Sequence, residues 1–246
     1  MKTLLDERYA PITSKMGFVE AQPERVAAAL VGWRRQLGRH VEAEEFRDAF
    51  PEVLRRLEPL TVGSYPRELL LATKSQWTVY ISNSLDGTDI FAPVSYLAKL
   101  LSCRSLGVAS VPHTRVSGVR GGRYGALQFF IYGPRPNPIL NYVRTVSVAH
   151  DGDRWIFRAS GEVQPFELAD QYRARRVADR FTSETLERYC RALDIELFNP
   201  DFYGPSSILV RTDKPVPDES PSLTLEQAQD RLQIRPGQAA TVSMPH

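Results

Sequence analysis

The sequence predicts an α+β fold: a mixed, largely antiparallel sheet with helices packed on it around a single core. Helix and strand patterns alternate in the first third of the chain, and several strand patterns then follow one another. An Asp-Gly turn at Asp151 separates two of those strand patterns, as in a β-hairpin. The chain has 246 residues, of which 42% are hydrophobic and 24% charged, so it can bury a core without disulfides.

The first part of the chain alternates strand and helix. Residues 16–21 predict a short strand, and Pro23 suits the first turn of a helix that Gly38 ends. The glutamate-rich residues 40–46 predict an edge strand. A second amphipathic helix is predicted after it from apolar residues at helical spacing, which are Phe50, Val53, Leu54 and Leu57.

The middle of the chain is predicted to be mostly sheet. Strand patterns cover residues 67–73, 77–83, 106–112 and 124–132, and a helix begins near Ala92. The strand at 124–132 is apolar or aromatic on both faces, which predicts a central strand covered on both sides. Residues 140–149 and 154–159 flank Asp151-Gly152, which predicts a hairpin with a tight type I′ turn.

The last part of the chain is more helical. The charged residues 166–180 are compatible with helix or irregular structure, and Ser183 is predicted to cap a helix. Residues 206–213 predict one more strand. Thr224 and Gln227 have the spacing of a capping box at the start of another helix.

The domain organisation follows from these patterns. Residues 16–212 are expected to form the main domain, after an N-terminal extension of residues 1–15. The Pro- and Ser-containing residues 213–222 predict a linker. It leads to a C-terminal helix over residues 223–234 and a disordered tail over residues 235–246.

Composition restricts the partner and the compartment. The net charge is +2, and a nucleic-acid-binding protein usually has a larger basic excess, so nucleic acid is not the expected partner. The first residues lack a signal-peptide pattern, and no apolar stretch is long enough to span a membrane. We therefore expect a cytoplasmic protein without membrane contact. No motif indicates a cofactor, and the four histidines are scattered, which predicts no metal site.

A Gly/Arg-rich run is the first candidate site. Arg115, Arg120 and Arg123 lie among glycines, and guanidinium groups with backbone amides can hold a phosphate or a carboxylate. The run lacks the Gly-Lys-Ser/Thr ending of a P-loop. The alternative is a surface loop that joins two strands, with its arginines in solvent.

A polar turn between a strand and a helix is the second candidate. Its residues Asn83, Asp86, Thr88 and Asp89 could contact a partner, or act on a ligand together with the Arg115–Arg123 loop. The alternative is that these side chains only form the turn and cap the next helix.

An acidic patch is the third candidate. Glu42, Glu44, Glu45 and Asp48 could receive a basic partner protein. The alternative is an edge strand whose charges prevent aggregation.

A basic stretch and a set of aromatic residues each have a binding and a structural interpretation. Arg173–Arg180, with Tyr172 or Phe181 to stack on a base, could contact nucleic acid, although the interleaved acidic residues favour a solvated face. Aromatic residues in the strand patterns could form a protein interface or be buried under helices on both faces. These residues are Tyr80, Phe130, Tyr132, Tyr142 and Tyr203.

Three segments carry a family resemblance. They are Gly17-Phe-Val-Glu-Ala-Gln-Pro-Glu-Arg-Val-Ala, Trp77-Thr-Val-Tyr-Ile-Ser-Asn and Gly87-Thr-Asp. They resemble a group of uncharacterised bacterial proteins, and the layout over residues 16–212 is similar to that of immunity proteins, which neutralise the toxins of competing bacteria. The resemblance implies a cytoplasmic protein that makes one tight contact with a toxin or effector domain. It assigns no catalytic residues.

These observations favour binding over catalysis. The leading hypothesis is an immunity-type protein that occludes the active site of a bacterial toxin, with the acidic patch and the 83–89 turn as contact regions. The alternative is an enzyme or a binder of a small phosphorylated ligand. It would use Asp86, Asp89 and the Arg115–Arg123 loop.

Overall fold

A nine-stranded antiparallel sheet forms the centre of the molecule, with strand order β2-β9-β3-β4-β1-β5-β6-β7-β8. The structure is a computed structural model that describes residues 1–62, 66–116, 118, 121–135, 141–213 and 221–237. The strands are β1 (Lys15–Val19), β2 (Val41–Phe46), β3 (Arg67–Thr73), β4 (Thr78–Ser82), β5 (Ser105–Val111), β6 (Ala126–Tyr132), β7 (Tyr142–His150), β8 (Trp155–Gly161) and β9 (Tyr203–Thr212). The α-helices are α1 (Pro23–Gln36), α2 (Ala92–Leu101), α3 (Ser183–Arg191) and α4 (Leu225–Leu232). The predicted α+β class is confirmed.

Helices cover both faces of the sheet, which divides the core into two hydrophobic clusters. Helices α1 and α2 bury Val26, Leu30 and Leu97 on one face, here called the α1/α2 face. Helices α3 and α4 bury Leu186 and Ala228 on the other, here called the α3/α4 face. Because successive side chains of a strand point to opposite faces, β6 contributes to both clusters, as predicted for a central strand.

The sheet aromatics are buried rather than presented to a partner. Tyr80, Phe130, Tyr132 and Tyr203 are all buried, and Tyr142 is half-buried. The buried tyrosine hydroxyls have hydrogen-bond acceptors inside the protein. The Tyr80 hydroxyl donates to Glu68 at 2.6 Å, and the Tyr132 hydroxyl donates to the carbonyl of Ile90 at 2.8 Å. The structure therefore agrees with the alternative of burial on both faces for Tyr80, Phe130, Tyr132 and Tyr203.

One predicted helix is shorter and tighter than its pattern suggested. Residues Glu52–Leu57 form a 3-10 helix instead of an α-helix. Pro51 and Pro59 bracket this segment, and a run this short accommodates 3-10 geometry. The predicted apolar side chains Val53, Leu54 and Leu57 are nevertheless buried.

The hairpin between β7 and β8 has a different turn from the one predicted. A type I′ turn needs positive φ at both central residues, but in the Asp-Gly pair only Gly152 has one, at +113°. The Asp151 carboxylate instead accepts hydrogen bonds from the amides of Asp153 and Arg154, at 3.0 and 2.9 Å. The hairpin is confirmed, with an Asx-type turn over residues 151–154.

Side-chain hydrogen bonds cap the N-termini of α3 and α4. The capping box of Thr224 and Gln227 is present at the start of α4. Helix α3 is capped by Thr182 rather than by the predicted Ser183, since the Thr182 hydroxyl accepts from the amide of Thr185 at 3.3 Å. The preceding charged stretch contains two short 3-10 helices, Ala169–Arg173 and Val177–Arg180.

Both ends of the described chain pack on the α3/α4 face. Leu4, Leu5 and Ile12 of the N-terminal segment and Leu225 of α4 join the same hydrophobic cluster. The side-chain amide of Gln229 donates to the carbonyls of Arg8 and Ala10, each at 3.0 Å. Of the predicted linker and tail, residues 214–220 and 238–246 lie outside the described residues.

Helices α1 and α2 cover the strands of the α1/α2 face unevenly. Helix α1 packs mainly over β2, β9 and β3, and α2 mainly over β1, β5 and β6. On β8, Arg158 and Ser160 are exposed. Among the residues that the structure describes, no helix is both long and apolar enough to span a membrane.

Candidate ligand-binding cleft

A cavity of about 440 Å³ lies where the ends of β5 and β7 and the start of β6 meet the start of β1 and the turn before α2. We call it the Arg123 cleft. Its polar lining is formed by Ser14, Lys15, Asp86, Arg123, Gln128 and His150. Its apolar lining includes Phe91, Val111, Ala126, Ala149 and Leu232. A concave site with an apolar wall and a few converging polar groups is the usual form of a small-molecule site.

Arg123 is the most deeply buried charge of the cleft, with 9% of its surface exposed. Its guanidinium donates to the Glu7 carboxylate at 2.6 Å and to the Ser14 hydroxyl at 3.3 Å. Among the described residues, its Nε–H has no hydrogen-bond acceptor. Since buried donors are normally satisfied, this incomplete set marks Arg123 as a functional candidate.

The segment that supplies Glu7 has an unusual backbone. Leu5, Asp6 and Glu7 have φ values of 58°, 48° and 63°, in the left-handed region that residues other than glycine avoid. Such conformations persist only where the surrounding contacts enforce them, and they are frequent at functional sites. Here they place the Glu7 carboxylate against Arg123.

Lys15 brings a second cation to the cleft from the start of β1. Burial lowers the pKa of its ammonium group, and the carboxylates of Asp86 and Asp89 counteract part of this effect by raising it. The neighbouring turn is close: a Cβ on Gly87, whose φ is +85°, would lie 3.2 Å from Lys15 Cγ. Glycine at this position therefore allows the lysine stem to approach the turn.

The residues of the 83–89 turn separate into structural and accessible groups. Asn83 is buried, where its side chain accepts from the amide of Arg67 at 3.2 Å and donates to the carbonyl of Pro59 at 2.8 Å. The Asp89 carboxylate accepts from the amide of Phe91 at 2.8 Å, which caps α2. Asp86 is exposed and lines the cleft.

The predicted anion-binding arginines lie in different surroundings. Arg115 is exposed, and its guanidinium lies 5.8 Å from the centre of the Tyr124 ring and donates to the carbonyl of Gly121 at 2.7 Å. Arg120 lies outside the described residues. The structure therefore places Asp86 and Arg123 on one cavity, with Arg115 close to it.

The acidic patch lies on another part of the molecule. Strand β2 is one edge of the sheet, whereas the cleft lies at the ends of β5 to β7. Glu42 and Glu44 point to one face and Glu45 to the other, and all three are exposed. Glu44 forms an exposed ion pair with Arg211 at 3.0 Å, and Asp48 pairs with Arg56.

Two histidines that are distant in sequence come together beside the cleft. The ring centres of His113 and His150 are 4.4 Å apart. Each Nδ1 accepts a backbone hydrogen bond, from Gly125 at 3.2 Å and from Gly152 at 3.1 Å. No local sequence pattern indicates this pair. It forms because β5 and β7 run in the same direction on either side of β6, so their ends meet.

A second cavity of about 460 Å³ adjoins the first, and we call it the Tyr124 pocket. It is lined by His113, Arg115, Val116, Gly118, Tyr124, His150, Gly152 and Asp153. Tyr124 and His150 line both cavities. Within the described part of the chain, no three His, Cys, Asp or Glu side chains are grouped as metal ligands would be.

The basic stretch near α3 does not present the rings that base stacking requires. Phe181 is fully buried, and the half-buried Tyr172 ring packs on Phe157 with ring centres 5.1 Å apart while its hydroxyl donates to Glu167 at 2.6 Å. Arg180 donates to the carbonyl of Ala174 at 2.9 Å. This stretch therefore lacks a free aromatic partner for a nucleic-acid base.

Comparisons with models of known protein families, with curated proteins and with solved structures find no match for this chain.

Proposed function

We propose that this protein binds a small anionic ligand, a phosphate or carboxylate compound, in the Arg123 cleft. The observation that carries the proposal is one cavity lined by two cations, the half-buried Lys15 and the buried Arg123. Each terminal nitrogen of Arg123 carries two N–H groups and donates to one acceptor among the described residues, Ser14 or Glu7. Guanidinium and ammonium groups together bind phosphate and carboxylate oxygens through charge-assisted hydrogen bonds.

The negative groups nearby leave room for an anion. Glu7 accepts from one terminal nitrogen of Arg123 at 2.6 Å. Asp86 is exposed on the rim, where water screens its charge. Lys15 is half-buried, so it loses hydration that an anionic ligand would replace.

Titration calorimetry with inorganic phosphate and with malonate tests this proposal. Both probes are expected to bind the unmodified protein, and Lys15→Met is expected to weaken binding at least about tenfold, the effect of losing one charge-assisted hydrogen bond. Lys99→Met on α2 is the matched control, since Lys99 lies outside the cleft and should leave the affinity unchanged. Absence of binding by both probes would overturn the proposal.

A second candidate function is protein binding by the acidic edge strand, in the manner of an immunity protein that occludes a toxin. Its support is the exposure of Glu42, Glu44 and Glu45 on β2, which is an edge strand among the described residues. Charge complementarity would speed the association with a basic partner.

A pull-down from the source organism, followed by native mass spectrometry, tests the second candidate. One stoichiometric protein partner that survives high salt is expected, and the combined Glu42→Lys, Glu44→Lys and Glu45→Lys variant should bind it more weakly. Arg211 lies on the neighbouring strand β9 and pairs with Glu44, so the control variant Arg211→Glu should not reduce binding. Unchanged affinity of the triple variant would remove this surface.

A further inference from the structure

The Tyr124 pocket contains an exposed aromatic surface next to the Arg123 cleft. Tyr124 keeps 47% of its surface exposed. Its ring is nearly parallel to that of His150, with an interplanar angle of 11° and ring centres 5.5 Å apart. Parallel rings at this spacing stack on one another, so His150 supports one face of Tyr124 and a flat ligand would stack on the other face.

This aromatic surface is held in place before any ligand arrives. The imidazoles of His113 and His150 each accept a backbone amide at Nδ1. Trp155 packs against both histidines, with ring centres 5.6 Å from each. A Cβ on Gly125 would lie 2.5 Å from the Trp155 ring, so this packing requires glycine there. A rigid surface loses little entropy when a ligand stacks on it.

The histidines also determine which polar groups are available. Because the backbone amides donate to Nδ1, each neutral imidazole carries its proton on Nε2 and can donate from there. Metal binding through Nε2 would need the opposite tautomer, and this would break both amide bonds. The pair therefore favours an acceptor-bearing organic ligand over a metal ion.

We infer that the ligand of the Arg123 cleft carries a flat aromatic ring, which stacks on Tyr124 while its phosphate or carboxylate binds Lys15 and Arg123. Tyr124 and His150 line both cavities, so one molecule can occupy the two together. Arg115, with its guanidinium 5.8 Å from the centre of the Tyr124 ring, adds a cation beside the stacked ring. This inference rests on the proposed function.

Two matched probes test the inference, phenyl phosphate and cyclohexyl phosphate, with inorganic phosphate as the reference. Phenyl phosphate is expected to bind about tenfold more tightly than cyclohexyl phosphate, a typical effect of one stacking contact. Tyr124→Leu should remove this preference, whereas Lys99→Met, outside both cavities, should keep the preference and leave inorganic phosphate binding unchanged. Tyr124→Phe should retain the preference, since the ring remains.

The outcomes separate the two proposals. If phenyl and cyclohexyl phosphate bind equally well while inorganic phosphate binds, the stacking inference is wrong and the anion site remains. If the preference survives in Tyr124→Leu, the ring binds elsewhere and the inference also fails. If all three probes fail to bind, the anion site itself is wrong. The circular dichroism spectrum of each variant verifies that it is folded.

Discussion

Two buried arginine–glutamate pairs, Arg144–Glu167 and Arg123–Glu7, are built differently. Arg144 donates to both Glu167 oxygens, at 2.8 and 2.6 Å, and to the carbonyl of Gly161 at 3.1 Å. Glu167 also accepts from the Tyr172 hydroxyl and from the amide of Gln164. Each charge is thus surrounded by partners in the α3/α4 layer.

The Arg123–Glu7 pair is held by fewer bonds. One guanidinium nitrogen contacts one Glu7 oxygen, and Nε has no acceptor among the described residues. Glu7 belongs to the left-handed segment, whereas Glu167 follows the end of β8. A complete network fixes a structure, while the terminal nitrogens of Arg123, each with one acceptor among the described residues, keep N–H groups for a ligand. The difference indicates a structural role for Arg144 and supports the binding role proposed for Arg123.

The largest expected effect is from Arg144→Met. This change leaves the Glu167 carboxylate buried without its cation, so we expect the free energy of unfolding to fall by about 3–5 kcal/mol. Urea denaturation measures it. Arg158→Met, at an exposed position on β8, is the matched control and should change stability by less than about 0.5 kcal/mol. If Arg144→Met lowers the free energy of unfolding by less than about 1 kcal/mol, the Arg144–Glu167 pair is not more structural than the Arg123–Glu7 pair.

A smaller loss of about 2 kcal/mol is expected for Arg123→Met, the effect of losing a hydrogen bond to a charged group. Glu7 lies in the N-terminal segment, and its release into water would relieve the left-handed backbone. The same urea titration measures the loss, and calorimetry should show weaker phosphate binding. A loss as large as that of Arg144→Met would show that the two pairs are equally structural.

A still smaller effect, of opposite sign, is expected for Asp6→Gly. Asp6 is exposed with φ of 48°, and glycine adopts this conformation without steric conflict, so stability should rise by up to about 1 kcal/mol. Asp194→Gly, at φ of 59°, is a matched substitution far from the cleft and should act similarly. Lower stability of Asp6→Gly in thermal unfolding would contradict the assigned backbone strain.

The smallest effect is expected from acid pH. Burial and the adjacent His150 lower the pKa of His113 below its ordinary 6.5. A histidine with a lowered pKa binds its proton less readily in the folded state than in the unfolded state. Its contribution to the free energy of unfolding is therefore complete above about pH 6.5 and declines as the pH falls below that value. Urea denaturation at pH 7.5 and 5.5 measures the decline. His113→Asn, which keeps an acceptor but does not titrate, should show a smaller decline.

Local sequence patterns predicted much of the fold. Strand alternation, the capping box at Thr224 and the hairpin at Asp151 depend on neighbouring residues, and each is present. The segment at Glu52–Leu57 was predicted as an α-helix because apolar spacing alone does not distinguish short 3-10 turns. The flanking prolines were the signal that would have limited its length.

The cleft was only partly predictable, because its groups come from distant parts of the chain. Arg123 and Asp86 were both candidates from local composition. Glu7 lies 116 residues from Arg123, and only the strand order brings the N-terminal segment to it. The histidine pair needed the same information, since the directions of β5 and β7 follow from pairings that no local pattern specifies.

The position of β9 in the sheet affects how the chain can fold during synthesis. Strand β9 lies between β2 and β3 and pairs with both, yet it comes last in the sequence among the described strands. Until the ribosome has released residue 212, β3 has an open edge, and β2 has no partner strand among the described residues. An open, apolar edge on a nascent chain favours association with other chains, and distant pairings slow folding. Folding yield should therefore depend on chaperones and on low expression rates more than the stability of the finished sheet suggests.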